Sequence, residues 1–497
     1  MKTDLTRRGF VKGIGLGAAA LALPRWWTGA LAAPAEAALP APDDVDRILR
    51  AALARGGDYA DLYLETRVTT NIRVVGGEVA SMEYGVLRGG GVRTVAGGKT
   101  GYAFAESFDP VALETVAASA AGIAAASRPG RVSPPVEVRL PGIVRAEEPI
   151  TGPPVADKLA ILDRVDRAAR GASPHVKQVV VSYNDSAQDY TVVTSDGHRA
   201  SDSLPVIYLR VEVSAEKNGA SAEGMVRVSA RRGMELLAGD VPERAGREAA
   251  EQAVRMLDAR PAPAGEMPVV IAAGGGVMFH EAVGHGLEAD GVLRQASVFA
   301  GRVGERVASE LVTIHDDATL PGKRGSFNVD DEATGASDTM LIERGVLRGF
   351  MQDRRTARLS GAAPTANGRR QSFRYPAIVR MTNTNLARGG DDPAGILRDT
   401  KRGIYAVSFG GGEVDIGSGQ FTFGLREAYL IEDGRVTAPL RGAMLVGSGP
   451  EVLLGIDRVG SDFDDWPGTC GKDGQWVPVT SGCPTLRIAR IIVGGRA

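Results

Sequence analysis

His280-Glu281-Ala282-Val283-Gly284-His285 sets two imidazoles around a carboxylate. Neutral imidazoles are good zinc ligands, and a carboxylate beside them can take a proton from a water that the metal acidifies. The familiar signature for this chemistry, H-E-x-x-H, spaces its histidines four apart on one helix face. Here they are five apart. On a regular α-helix five residues advance about 140° past a full turn, so the two rings cannot share an ion. A wider, π-like turn, or an end to the helix, would bring them together. Gly284 and Gly286 flank His285 and lower the cost of such a distortion. Two of the chain's five histidines sit here, after a Gly-rich strand-to-helix turn at Gly274-Gly275-Gly276. The plainer alternative is a pair of packed, hydrogen-bonded histidines without a metal.

A third ligand is available. Cys470 lies among turn residues, Gly468-Thr469-Cys470-Gly471-Lys472-Asp473-Gly474-Gln475, and a thiolate close to Lys472 is a soft ligand. The other cysteine, Cys483, is 13 residues away, which also permits a disulfide. Such a bond would remove the third ligand. Three protein ligands leave one position for water, as catalytic zinc requires, whereas structural zinc takes four. Two functions follow. One is a peptidase with Glu281 as general base. The other is a non-catalytic partner or scaffold subunit with a structural metal or a Cys470–Cys483 disulfide. Arg369 and Arg370 could clamp a carboxylate, or form a solvated basic pair. Gly410-Gly411-Gly412 could admit a substrate backbone closely, or form a tight turn.

The elements that must position these groups are readable in outline. Gly is abundant, 65 of 497 residues, and aromatics make up 5%, which favours a turn-rich mixed or β-rich protein. Helical spacing marks residues 44–55, 110–126, 155–170 and 243–257. Strand patterns cover 60–65, 179–183, and a hairpin over 92–105 with Gly97-Gly98 at its turn. Residues 206–214 and 225–229 pair around Asn218-Gly219. The Pro-rich run 260–265 reads as a linker. Beyond it come a strand at 269–273, a helix from about Val277, and strands at 339–342, 349–352, 427–431 and 486–493. The fold class is α+β. An N-terminal α/β-type domain of mixed helices and antiparallel strands, 42–259, precedes a β-rich C-terminal domain, 266–497, that carries the metal site.

Residues 1–37 read as a twin-arginine export signal and its cleavage region: Arg7-Arg8, an apolar stretch from Gly13 to Leu23, then Ala30-Leu31-Ala32 and Ala35-Glu36-Ala37. Cutting after Ala32 leaves 53 basic against 59 acidic side chains, a net charge of −6. No later segment is long and apolar enough to span a bilayer. The expected location is the periplasm or another exported compartment. Charges are mixed, with no long basic run, which argues against nucleic acid as a partner.

Several motifs, in order, resemble the TldD/PmbA family of metallopeptidases. They are Phe279 to Asp290, Gly301 to Glu310, Ala366-Asn367-Gly368-Arg369-Arg370, Met381-Thr382-Asn383-Thr384, Phe409 to Asp415 and Cys470 to Gln475. Gly90-Gly91-Val92-Arg93 and Gly98 to Ala103 are similar to the family's N-terminal half. The resemblance is to the TldD-like kind, which bears the histidine motif. It implies zinc bound by His280, His285 and Cys470, with Glu281 as catalytic acid/base. It also implies a homodimer, or a heterodimer with a PmbA-like subunit, enclosing a chamber where unfolded polypeptides or small peptides are cut. Arg369, Asn383, Gly410 and Gly411 are the candidates for substrate binding. Family members are mostly cytoplasmic. The twin-arginine pathway moves folded proteins, so zinc can enter this chain before export and shield Cys470 from oxidation.

Overall fold

The computed structural model describes residues 39–125 and 130–495. The signal read over 1–37 lies outside them, as does Ala126, the expected end of the second helix. Four helices, Pro42–Leu53 (α1), Pro110–Ile123 (α2), Val155–Ala172 (α3) and Val241–Met256 (α4), fall close to the expected spans. Pro110 opens α2, and Asp109 caps it by accepting from Ala112 N at 2.9 Å.

The first sheet contains Tyr59–Val75 (β1), Glu78–Ala96 (β2), Lys99–Ala105 (β3), Val176–Thr194 (β4), His198–Lys217 (β5) and Ala220–Ala230 (β6), each antiparallel to its neighbour in the order β3-β2-β1-β4-β5-β6. Gly97-Gly98 and Asn218-Gly219 all have left-handed φ, between 53° and 84°, which matches the twist of two-residue hairpins. The strands outrun their apolar signals: β1 has 17 residues and β5 has 20. Beyond the apolar runs polar or half-exposed side chains alternate with buried ones such as Ile72, Val74 and Leu204, and the ladder to neighbouring strands keeps the backbone extended.

Side-chain alternation divides the labour of this sheet. One face carries Leu62, Leu64 and Val92 under α1 and α2, and Ile72, Val181 and Leu209 under α3 and α4. The other face carries Tyr63, Tyr190 and Leu204, which pack on Phe327, Val329 and Phe373 from the second half. A buried ion network crosses the same seam. Arg93 Nε donates to Asp61 Oδ2 at 2.7 Å, its guanidinium pairs with Glu332, and Arg370 reaches Asp61 Oδ1 at 2.9 Å. Burial pushes the Asp61 carboxyl up, but Arg93 and Arg370 outweigh it and hold it below its ordinary value. Arg93→Met leaves buried carboxylates without their partner and is expected to lower unfolding stability by about 3–5 kcal/mol. Urea unfolding measures this, and an unchanged midpoint would contradict the network's role.

The second half is richer in strands: Gly265–Ile271 (β7), Ile314–Asp317 (β8), Asp338–Glu343 (β9), Asn383–Leu386 (β10), Arg402–Val414 (β11), Gln420–Glu432 (β12), Met444–Ser448 (β13), Asp464–Lys472 (β14), Gln475–Cys483 (β15) and Leu486–Gly494 (β16). The ring β11-β7-β16-β13-β12 closes because β11 also pairs β12. A second sheet runs β9-β8-β10-β15-β14. The expected strand at 349–352 does not form. Buried Met351 makes only a lone bridge to Glu288, because its N–H donates to Leu287 O and its C=O accepts from Ala289 N, beside the histidine turn, rather than joining a ladder. Arg260-Pro261, read as linker, pairs in parallel with Leu440-Arg441.

Candidate metal centre

The histidine segment follows β7 directly. Gly276 sits against the β15 backbone, where an added Cβ would lie 2.8 Å from Gly482 N. Helix Val277–Ala282 (α5) then starts and buries Met278, Phe279 and Ala282 in the core. No π-like turn forms. Val283, at φ −125° and ψ −48°, ends the helix, and residues Gly284–Leu287 make a tighter 3₁₀ turn that carries His285. The break itself reorients the second imidazole, which answers the five-residue spacing. Neither Gly284 nor Gly286 has positive φ. Their value is steric: a Cβ on Gly284 would lie 2.2 Å from Met381 Sδ.

Cys470 arrives from β14, opposite Val477 on β15. One ligating atom from each of His280, His285 and Cys470 lies within 4.8 Å of the others, and all three residues are buried. His285 Nε2 is 3.4 Å from Cys470 Sγ, and the imidazole centroids are 5.5 Å apart. Both ring nitrogens of His280 are buried without a hydrogen-bond partner among the described residues. Buried polar atoms are rarely left so. A nitrogen, nitrogen and sulfur donor set suits a borderline-soft ion such as zinc.

The surroundings orient these groups. His285 Nδ1 bonds Glu288 Oε2 at 2.9 Å, which turns Nε2 toward Cys470. Lys472 Nζ lies 3.0 Å from Glu288 Oε2, 2.7 Å from Asp290 Oδ1 and 3.0 Å from Val379 O. Burial pushes Glu288 up, but Lys472 and His285 outweigh it and bring its carboxyl down to about 2. Burial likewise opposes ionisation of the Cys470 thiol, and the neighbouring His280 and His285 overcome it and hold it well below its ordinary value. Lys472 thus serves Glu288 and Asp290, whereas the thiolate expected beside it is stabilised by the histidines. Buried Arg380 donates to Cys470 O at 2.5 Å and to Gln475 O at 3.2 Å, tying the hairpin in place. Glu281 is the member of the group that reaches solvent: its side chain is 32% exposed, with Oε2 3.7 Å from His285 Nε2. Sequence reading missed Glu288, Asp290 and Arg380 as positioning groups. The signal was a lysine inside the cysteine turn that had to find carboxylates once buried.

Other candidates fare differently. Cys483 stands opposite Asp464, six residues along the hairpin from Cys470, or about 20 Å at strand rise. That exceeds the roughly 7 Å between Cα atoms that a disulfide tolerates. Both cysteines are free, which overturns the disulfide alternative, and burial pushes the Cys483 thiol up to about 12. Arg369 and Arg370 are not a solvated pair. Both are buried; Arg369 donates to Met381 O and Pro478 O, while Arg370 holds Asp61. Asn383, a substrate candidate, is buried and spends its amide within the chain. Its Nδ2 donates to Asp317 O and Ser326 Oγ, and its Oδ1 accepts from Gly325 N. Gly410 and Gly411 form no tight turn; they are exposed in the irregular, bulged part of β11.

Comparison with known proteins agrees along the chain's length. Models of the PmbA/TldA metallopeptidase family match in three parts: domain 1 over 60–126, the central domain over 148–257 and the C-terminal domain over 264–495. A Haemophilus influenzae protein named metalloprotease TldD homolog is 41% identical over 453 residues, covering 89% of this chain and 94% of the relative. A more distant Saccharolobus solfataricus relative, 29% identical over 349 residues and covering 68% and 76%, is named zinc metalloprotease TldD homolog. The crystal structure of TldE from Thermococcus kodakarensis superposes with a TM-score of 0.74 at 19% identity, covering 91% of this chain and all (100%) of that one.

Proposed function

The chain belongs to the PmbA/TldA metallopeptidase family and is a protease, and from that footing we propose a zinc-dependent peptidase with His280, His285 and Cys470 as ligands and Glu281 as general base. The observation that carries this reading is buried His280, whose ring nitrogens have no hydrogen-bond partner among the described residues and offer one ligating atom within 4.8 Å of those of His285 and Cys470. Bound zinc supplies Lewis acidity, toward a water and toward a substrate carbonyl. The remaining work falls to the chain. Glu288 fixes the tautomer and orientation of His285, and Lys472 keeps Glu288 ionised. Arg380 holds the hairpin that delivers Cys470. Glu281, facing solvent beside the ligands, accepts the proton of the attacking water and returns it to the leaving amine.

Substrate placement follows from β11. Residues 404–406 pair β7 on one side, but beyond them only β12 pairs this strand among the described residues. The free edge at 408–414 begins where Phe409 packs on Gly275, just before α5. Exposed Gly410 and Gly411 let an extended peptide lie close and add as a strand. Backbone bonding of this kind has little sequence preference, which suits unfolded polypeptides or small peptides. Arg369, though buried, lines a cavity between the first sheet and the β14–β15 hairpin.

We further assign a dimer, with a second copy or a PmbA-like subunit; likeness of fold to TldE supports such a pairing. Arg7-Arg8 and the apolar stretch after it support export to the periplasm, folded and metal-loaded. Among the described residues no helix is long and apolar enough to cross a membrane. The test is chelation. Activity of the purified full chain on an unfolded polypeptide should vanish after treatment with 1,10-phenanthroline and return with stoichiometric zinc. Turnover that persists after complete metal removal would overturn the assignment.

A further inference from the structure

A cavity of about 220 Å³ lies where the first sheet meets the β14–β15 hairpin, lined on the hairpin side by Thr469 and Pro478. Five arginines line it: Arg67, Arg231, Arg324, Arg369 and Arg370. Two are neutralised, Arg67 by Glu65 at 2.7 Å and Arg370 by Asp61 at 2.9 Å. The other three form no ion pair among the described residues. Arg324 donates only to neutral groups, Gly468 O, Ser229 Oγ and Thr469 Oγ1, and Arg369 only to carbonyls. Arg231 is 3% exposed, its side chain makes no hydrogen bond among the described residues, and its Nε is buried and unsatisfied.

The acids in the wall, Asp330 and Asp331, form no ion pair with these three arginines among the described residues. Asp330 spends both carboxylate oxygens on the backbone N–H groups of Glu332, Thr334 and Gly368, and Asp331 accepts from Arg370 N. Burial, with Glu332 adding, raises the Asp330 carboxyl to about 8, and burial raises Asp331 as well. Burial and the nearby Arg369 and Arg324 push the Arg231 guanidinium down to about 9. A buried cation among like charges calls for an opposite charge. Guanidiniums in a polar cavity meet that need by bidentate hydrogen bonding to an oxyanion.

We propose that this cavity binds an oxyanion, a carboxylate or a phosphate, clamped by Arg231, Arg324 and Arg369 behind the hairpin that carries Cys470. The site is distinct from the zinc ligands and does not depend on turnover. Its occupant comes from one of two sources, a peptide's carboxylate or a free small anion.

The experiment is calorimetric titration of the full chain at fixed ionic strength, before and after metal removal, so that its result is independent of the peptidase reading. The probes are inorganic phosphate, a short peptide with a free C-terminus and the same peptide amidated. Saturable phosphate binding assigns a free small anion. Binding of the free peptide alone, lost on amidation, assigns the substrate's terminal carboxylate. In either case Arg231→Gln should weaken binding at least ten-fold, and Arg231→Lys should weaken it less. Ligand-free Arg231→Gln should melt at or above the wild-type temperature, because it removes an unpaired buried charge. No saturable binding of any probe, unchanged binding by Arg231→Gln, or a clearly lower melting temperature for that variant would overturn the proposal.

Discussion

Glu281→Gln is expected to lower kcat for peptide hydrolysis by about 100- to 10,000-fold while zinc stays bound, the range for a positioned general base. The amide matches the carboxylate in shape but cannot accept the water's proton. Glu281 is outside the proposed ligand set, and its side chain is one-third exposed (32%), so the exchange leaves the buried centre intact. Turnover on an unfolded polypeptide, together with zinc content measured on the same sample, checks both halves. Unchanged turnover would remove Glu281 from the mechanism; lost zinc would make it a ligand instead.

Cys470→Ser is expected to weaken zinc by more than the roughly 10–100-fold that follows loss of an outer hydrogen-bond partner. A serine hydroxyl remains neutral, whereas the two histidines, against burial, hold the Cys470 thiol well below its ordinary value. The loss should also leave His280 with buried nitrogens that nothing satisfies, so the variant should gain little thermal stability from added zinc. Glu288→Gln provides the scale, since it disturbs only the orientation of His285 and should fall within the smaller range. Competition against a chromophoric chelator ranks the three proteins. Wild-type affinity in Cys470→Ser would exclude the cysteine as a ligand.

The site was legible in its chemistry before its geometry. Residue type alone marked His280, Glu281, His285 and Cys470, because few side chains combine these ligating and proton-accepting properties. The manner of their meeting was not legible. A π-like turn and an end to the helix both stood open, and the choice between them, an end at Val283, is a backbone event. Packing of Gly284 against Met381, 97 residues away in the chain, sets that path. The solvated reading of Arg369 and Arg370 fails for a similar reason. Whether a charge is solvated depends on what covers it, and their partners lie on strands distant in sequence.

By itself the sequence determined the helices, through their 3.6-residue apolar spacing, and the hairpins, through glycine and asparagine at left-handed turns. It also determined which groups can ligate and move protons. Those properties are local: they depend on a residue and its near neighbours. Only the tertiary structure decided strand length, closure of the β ring, the separation of Cys470 from Cys483, and the gathering in one cavity of three arginines without an ion pair among the described residues. Each of these depends on pairing and burial between distant segments, where desolvation and cross-strand hydrogen bonds outweigh local preference.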